Sequence, residues 1–196
     1  MMEPEDRGLL EALQALAAAL QQIEAPGMII GGIAVIARGV PRLTVDADAT
    51  VWGEQVDLDD LFRVLGQYQI IPRIQDAFQF AQERQVLLLR HEPSGTPIEI
   101  SIAWLPFERE ALEKATPVWF GGIEIPVATA EDLVIYKALA WRDQDRSDIE
   151  RLIVLHGKAI NLNRVRDFVE QFAEILEDPK RTQEFDQLVQ RALGSQ

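Results

Sequence analysis

Cysteine is absent from the 196 residues. That excludes disulfides, thiolate nucleophiles and cysteine-based zinc sites, and it fits a reducing compartment. Basic residues are scarce as well: 19 Lys and Arg stand against 32 Asp and Glu, for a formal net charge of −13. Non-specific nucleic-acid binding relies on Lys and Arg to neutralise phosphates, so this balance argues against it and leaves room only for a local basic pocket. No apolar run approaches the ~20 residues of a membrane span. The opening stretch MMEPEDRGLL is acidic and lacks the basic region and apolar core of a secretory signal. A soluble, cytoplasmic protein without membrane partners is expected. There is no internal repeat, low-complexity segment, Walker-type phosphate loop or serine nucleophile elbow. The two histidines are far apart in sequence, His91 by a turn and His156 beside Gly157, and both read as surface or capping residues.

What is present is a chain long enough to bury roughly 70% of its unfolded surface. One domain, or a domain with a helical extension, is expected. Its organising stretch is Gly31 to Val51, GGIAVIARGVPRLTVDADATV. Gly31-Gly32 follows the short apolar strand candidate Met28 to Ile30 and permits a tight turn and close approach to a ligand. If Ile33 to Arg38 is a helix, its first amides lie at that turn and are placed to receive a phosphate. A strand is expected from Val45 to Trp52. Residues two apart in a strand share a face, so Asp46, Asp48 and Thr50 lie together, and Val45, Ala47, Ala49 and Val51 form the core side. Two carboxylates on one face repel and call for a compensating cation. A divalent metal between oxygen ligands is the simplest, and Mg²⁺ usually binds substrate phosphates as well. Arg42 has two roles open to it, contact with a phosphate or bracing of the aspartates. Arg38 reads as a solvated helix residue.

Around this stretch the periodicity is clear in most places. Leu9, Leu13, Leu16, Leu20 and Ile23 mark a helix over 5–24. Leu58, Leu61, Phe62 and Leu65 mark another, with Asp57, Asp59 and Asp60 as charge at its N-terminus rather than a metal cluster. Residues 70–84 carry little signal beyond a break at Pro72 and a short helix near Asp76 to Gln85. Val86 to Leu89 reads as a buried strand. In PIEISIAW, Ile98, Ile100 and Ile102 alternate with Glu99, Ser101 and Ala103. Alternation alone favours Glu99 as a solvent-facing residue, with a third carboxylate facing Asp46 and Asp48 as the other reading. Residues 106–115 form an amphipathic helix, and Gly121-Gly122 between two apolar runs predicts a hairpin. Thr129 with Asp132 is a helix-start signal. The helix it opens has Leu133, Tyr136 and Ala140 on its core side. Lys137, Trp141 and Asp145 share a face if it continues, and Ser147 with Glu150 is a second start signal, ahead of which it breaks. Helices with Val165, Phe168, Val169, Phe172 and Ile175, then with Phe185, Leu188 and Val189, close the chain. Trp104, Trp119 and Phe120 are expected in the core.

Taken together, Gly31-Gly32, the pattern Arg42-x-Thr44-x-Asp46-x-Asp48, a later strand carboxylate and the segment LVIYKALAWRDQDRSDIERL resemble the nucleotidyltransferase superfamily with the DNA polymerase beta-like fold. The likeness spans roughly 28–155 and is strongest to small prokaryotic abortive-infection-type and minimal nucleotidyltransferases. It implies an α+β fold: a nucleotidyltransferase-like mixed β-sheet flanked by helices over 1–157, with a C-terminal helical tail over 158–196. It also implies Mg²⁺ (or Mn²⁺) held by Asp46 and Asp48, with Glu99 as third ligand and catalytic carboxylate where aspartate is usual. Gly31, Gly32, Arg42, Thr44, Lys137, Asp145 and Asp148 are implied to bind the nucleotide. The implied reaction moves a nucleotidyl group from an NTP to an acceptor hydroxyl on a protein, an RNA or a small molecule. Two metals, about 3.5–4 Å apart in such sites, clamp the attacking and leaving oxygens. A toxin-like role with an antitoxin or other protein partner belongs to the same resemblance. The alternative is a catalytically inactive module that binds a nucleotide or a protein, and Glu99 is its best support.

Overall fold

The computed structural model describes residues 4–194. They fall into two compact units, one of 4–37 with 42–128, the other of 38–41 with 129–194. Among the described residues no helix is long and apolar enough to cross a membrane.

The first unit is built on one mixed sheet of seven strands: β1 (Gly27–Ile30), β2 (Ala47–Trp52), β3 (Ile70–Pro72), β4 (Val86–His91), β5 (Pro97–Ala103), β6 (Thr116–Phe120) and β7 (Ile123–Val127). Their order across the sheet is β3-β4-β5-β2-β1-β7-β6. The β2–β5 and β1–β7 pairs are parallel and the other pairs antiparallel. Apolar alternation explains the sheet's core side: Ile98, Ile100 and Ile102 are buried on β5, and Ala47, Ala49 and Val51 on the neighbouring β2. Helices α1 (Pro4–Gln22), α2 (Gly31–Ala37), α3 (Leu58–Gln67), α4 (Ala77–Arg84) and α5 (Pro106–Lys114) belong to this unit. In α1 the stripe of Leu13, Leu16 and Leu20 is buried, each such side chain contributing about 1.5–3 kcal/mol relative to exposure. Asp57 caps α3, its side chain accepting from the Asp60 amide at 2.9 Å. The hairpin between β6 and β7 turns on Gly121 (φ 57°) and Gly122 (φ 86°), the two left-handed residues that match the twist of paired strands.

The second unit is helical: α6 (Ala130–Ala140), α7 (Asp143–His156), α8 (Leu162–Ile175) and α9 (Arg181–Gly194). Thr129 caps α6, accepting from the Asp132 amide at 3.1 Å and donating to the Asp132 carboxylate at 2.6 Å. Asn161 caps α8 through the Arg164 amide at 3.2 Å. Arg181 donates from its guanidinium to the carbonyls of Ala138 and Leu139, at 3.2 and 2.9 Å, and so satisfies the end of α6.

Several expectations change. α6 and α7, read from sequence as part of the sheet domain up to residue 157, group with α8 and α9, and the division falls between Ala128 and Thr129. α6 does not run to Ser147: it stops at Trp141, whose φ of 56° is left-handed and whose amide bonds back to the Lys137 carbonyl at 2.8 Å. Ser147 lies inside α7. Rather than the stripe of Leu133, Tyr136 and Ala140, α6 buries Leu133, Val134, Ile135, Lys137 and Ala138 while Ala140 is exposed. Trp104 and Trp119 are 66% and 73% exposed, not core: one follows β5 and the other sits on the edge strand β6. His91 is buried, not a surface residue, its Nδ1 2.8 Å from the Ser94 hydroxyl. Burial pushes its pKa below the ordinary imidazole value, with Glu11 acting in the opposite sense.

Candidate active site

The paired aspartates sit where β2 begins beside the glycine turn that ends β1. Strand pairing sets the arrangement: Ile30 lies opposite Asp48 on one side, and Glu99 lies opposite Asp48 on the other. Gly31 has φ of 64° and opens α2. A Cβ placed on it would lie 1.8 Å from Asp48 Oδ2, so only glycine lets this carboxylate rest against the turn. A Cβ on Gly32 would meet Thr44 Oγ1 at 2.4 Å and Arg42 Cζ at 3.3 Å. The glycine pair is therefore a backbone surface against which Asp48, Thr44 and Arg42 are all packed.

Asp46 lies one residue before β2 rather than inside a strand starting at Val45. Its carboxylate accepts from the Thr44 hydroxyl at 2.7 Å. The segment into β2 still alternates. Arg42, Thr44 and Asp46 are half-buried, while Leu43 and Val45 are 93% and 71% exposed. Val45 is thus not on the core side: core alternation begins only where the strand is paired, at Ala47. Thr50, on the Asp48 face, is fully buried and donates to the Ser101 carbonyl at 3.3 Å. The polar face is open only at the strand's start.

Glu99 pairs with Asp48 and is half-exposed, so it lies beside the aspartates and also reaches solvent. Its partner is a residue that sequence reading passed over. Arg73, just beyond β3, forms an ion pair with the Glu99 carboxylate. No local pattern in 70–84 marks Arg73. It reaches this place through pairing, its amide bonding to Leu88 O at 3.0 Å while Leu88 lies opposite Glu99.

Lys137, Asp145 and Asp148 meet in the helical unit. The Lys137 ammonium lies 3.0 Å from Asp145 Oδ1 and 3.0 Å from Asp148 Oδ2, and all three side chains are buried. Asp145 also accepts from the Arg142 amide at 3.1 Å and Asp148 from Gln144 at 3.0 Å. The expectation that Lys137 and Asp145 share one continuous helix face gives way to a contact across the α6–α7 junction.

Two aspartates next to a side-chain-free turn supply hard oxygen donors, and Mg²⁺ is commonly held by one or two carboxylates together with substrate phosphates. The donor set fits such an ion. Among the described residues no group of three or more His, Asp or Glu is gathered closely enough to hold a metal unaided.

The fold is that of nucleotidyltransferases. The chain is similar to the solution structure of the antibiotic-resistance factor ANT(2'')-Ia, with a TM-score of 0.60 and 14% identity over 92% of this chain and 99% of that one. It is also similar to the crystal structure of ANT(2'')-Ia in complex with adenylyl-2''-tobramycin, with a TM-score of 0.55 and 16% identity over 87% and 98% of the two chains. Comparison with curated proteins finds no match. The model of a family described as nucleotidyltransferase of unknown function (DUF6036) matches residues 8–192, and the chain belongs to that family.

Proposed function

We propose that the protein is a Mg²⁺-dependent nucleotidyltransferase that moves a nucleotidyl group from an NTP to an acceptor hydroxyl. The observation that carries this reading is the Asp48 carboxylate resting on Gly31, with Asp46 two residues before it. Asp46 and Asp48 would hold the cation (Mn²⁺ can stand in for it), together with phosphate oxygens of the NTP. When bound, it supplies charge neutralisation at the triphosphate. Thr44 orients the Asp46 carboxylate by donating to it. The Gly31-Gly32 turn, lacking side chains, lets the triphosphate approach the main chain, and Arg42 beside Gly32 offers it a positive charge. The resemblance also gives Lys137, Asp145 and Asp148 to the nucleotide. Support within the helical unit is that the three meet in one buried polar cluster.

A small, cationic acceptor is favoured over an RNA. The crystal complex of a structural neighbour holds an adenylylated tobramycin, and a net charge of −13 attracts cations and repels polyanions.

A second reading, an inactive nucleotide-binding module, draws on the engagement of Glu99 by Arg73. Two assays separate the readings. Equilibrium binding of the four NTPs with Mg²⁺ is compared between wild type and Asp46→Asn/Asp48→Asn. Pyrophosphate release is then measured with hydroxyl acceptors, aminoglycosides first. Metal-dependent binding lost in the double variant, together with acceptor-dependent release, supports the transferase. Binding without release under any acceptor supports the module. No binding of any NTP refutes the transferase and the nucleotide-binding module, and leaves a module that binds a protein.

A further inference from the structure

We infer that Arg73 takes the place of one of the two cations in this site, so that the enzyme binds a single divalent metal and Glu99 serves as the anchor of Arg73 rather than as a metal ligand. The inference rests on the reading of Asp46 and Asp48 as the metal-binding pair.

Four residues form a row across the sheet. Asp48 on β2 lies opposite Glu99 on β5, Glu99 opposite Leu88 on β4, and the Arg73 amide bonds to the Leu88 carbonyl. Directly paired residues point to one face, so the Glu99 and Arg73 side chains meet above Leu88. Adjacent strands lie about 4.8 Å apart, so the two main chains are separated by two such spacings. Long side chains are needed at both ends. Glutamate reaches outward where aspartate falls one methylene short, which accounts for Glu at a position where the resemblance expects Asp.

Charge gives the same answer. Asp46, Asp48 and Glu99 place three negative charges at the start of one sheet face, with Arg73 fixed on the outermost. An exposed ion pair is weak by itself. Here, however, the Arg73 main chain is held by its bond to β4, which starts its side chain within reach of the Glu99 carboxylate. A second divalent cation at Glu99 would have to displace this guanidinium or sit beside a like charge.

The test counts metal ions on the full-length protein. Mn²⁺ binding is measured by electron paramagnetic resonance in the presence of each of the four α,β-methylene NTPs, with thermal melts confirming that each variant folds. Wild type, Arg73→Lys and Glu99→Gln are expected to take one Mn²⁺ per chain with affinities within about threefold of one another. Arg73→Met frees Glu99 and is expected to take a second Mn²⁺, which Arg73→Met/Glu99→Gln loses again. Two Mn²⁺ on wild type, a tenfold or greater loss of Mn²⁺ affinity in Glu99→Gln, or a single Mn²⁺ on folded Arg73→Met each overturns the inference while leaving the nucleotide site standing. Failure of wild type to bind Mn²⁺ with any of the analogues overturns the reading of the site itself, and the inference with it.

Discussion

Replacing Lys137 by methionine tests the buried cluster of the helical unit. Methionine keeps most of the side chain's length and removes the charge together with its N–H donors. The ammonium contacts Asp145 and Asp148 at 3.0 Å each, with Lys137 8%, Asp145 7% and Asp148 0% exposed. Water therefore cannot take over for the lost partner. Deleting one member of a buried ion pair costs about 3–5 kcal/mol, because the remaining charge is stranded. The upper end is tempered because Asp145 keeps the Arg142 amide and Asp148 keeps Gln144. In a protein of this size about 1 kcal/mol corresponds to roughly 2–4 °C, so a fall of about 6–20 °C in the unfolding temperature is expected. Urea unfolding followed by far-ultraviolet circular dichroism should show a lower midpoint at unchanged slope. The triple variant Lys137→Met/Asp145→Asn/Asp148→Asn removes all the charges together and should recover most of the loss. A single variant that loses under about 1 kcal/mol would refute the charge-stranding account. So would a triple variant as unstable as the single one.

Three further outcomes follow from the geometry. Gly31→Ala would place a Cβ 1.8 Å from Asp48 Oδ2 at a φ of 64°, so metal-dependent NTP binding should fall at least tenfold by calorimetry, with Gly66→Ala, which meets nothing within 4 Å, as the neutral control. Thr129→Ala removes the cap of α6 and the hydroxyl that donates to buried Asp132; a loss of about 1–2 kcal/mol is expected in urea unfolding, with Thr129→Ser retaining most of the stability. Burial lowers the His91 pKa from its ordinary value of 6.5, so the folded state disfavours the protonated ring. The stability this contributes is complete above about pH 6.5 and is lost as pH falls through the folded-state pKa. Melts between pH 7.5 and 5.5 should show that decline in wild type and a flatter profile in His91→Gln.

Much of the local structure was readable because it depends on neighbours in sequence. The leucine stripe of α1, the caps at Asp57, Thr129 and Asn161, and the Gly121-Gly122 hairpin all follow from spacing and turn chemistry within a few residues. Gly31-Gly32 and Asp46-x-Asp48 were recognisable for the same reason: each is a short pattern whose chemistry is unusual for a plain turn or strand. The alternation that puts Glu99 on one face with Ser101 and Ala103 does not say which strand lies beside it. That came from β5 pairing in parallel with β2, which set Glu99 against Asp48.

The misreadings share a cause. Alternation alone places Val45 on the core side, yet alternation has meaning only where a strand is paired, and pairing starts at Ala47. Trp104 and Trp119 were assigned to the core by their apolarity, but one lies past a strand end and the other on an edge, where no layer covers them. A single apolar stripe suits a surface helix, whereas α6 buries residues on most of its sides. Arg73 is the sharpest case. Nothing in the weakly patterned segment around it distinguishes this arginine from the others, and its meeting with Glu99, 26 residues away, exists only because β3, β4 and β5 lie side by side. By itself, then, the sequence determined most of the elements, several caps and the paired aspartates, since these depend on contacts within a turn or two of the chain. Which charges face one another was decided by tertiary structure, because strand order and register bring together residues that no spacing rule relates.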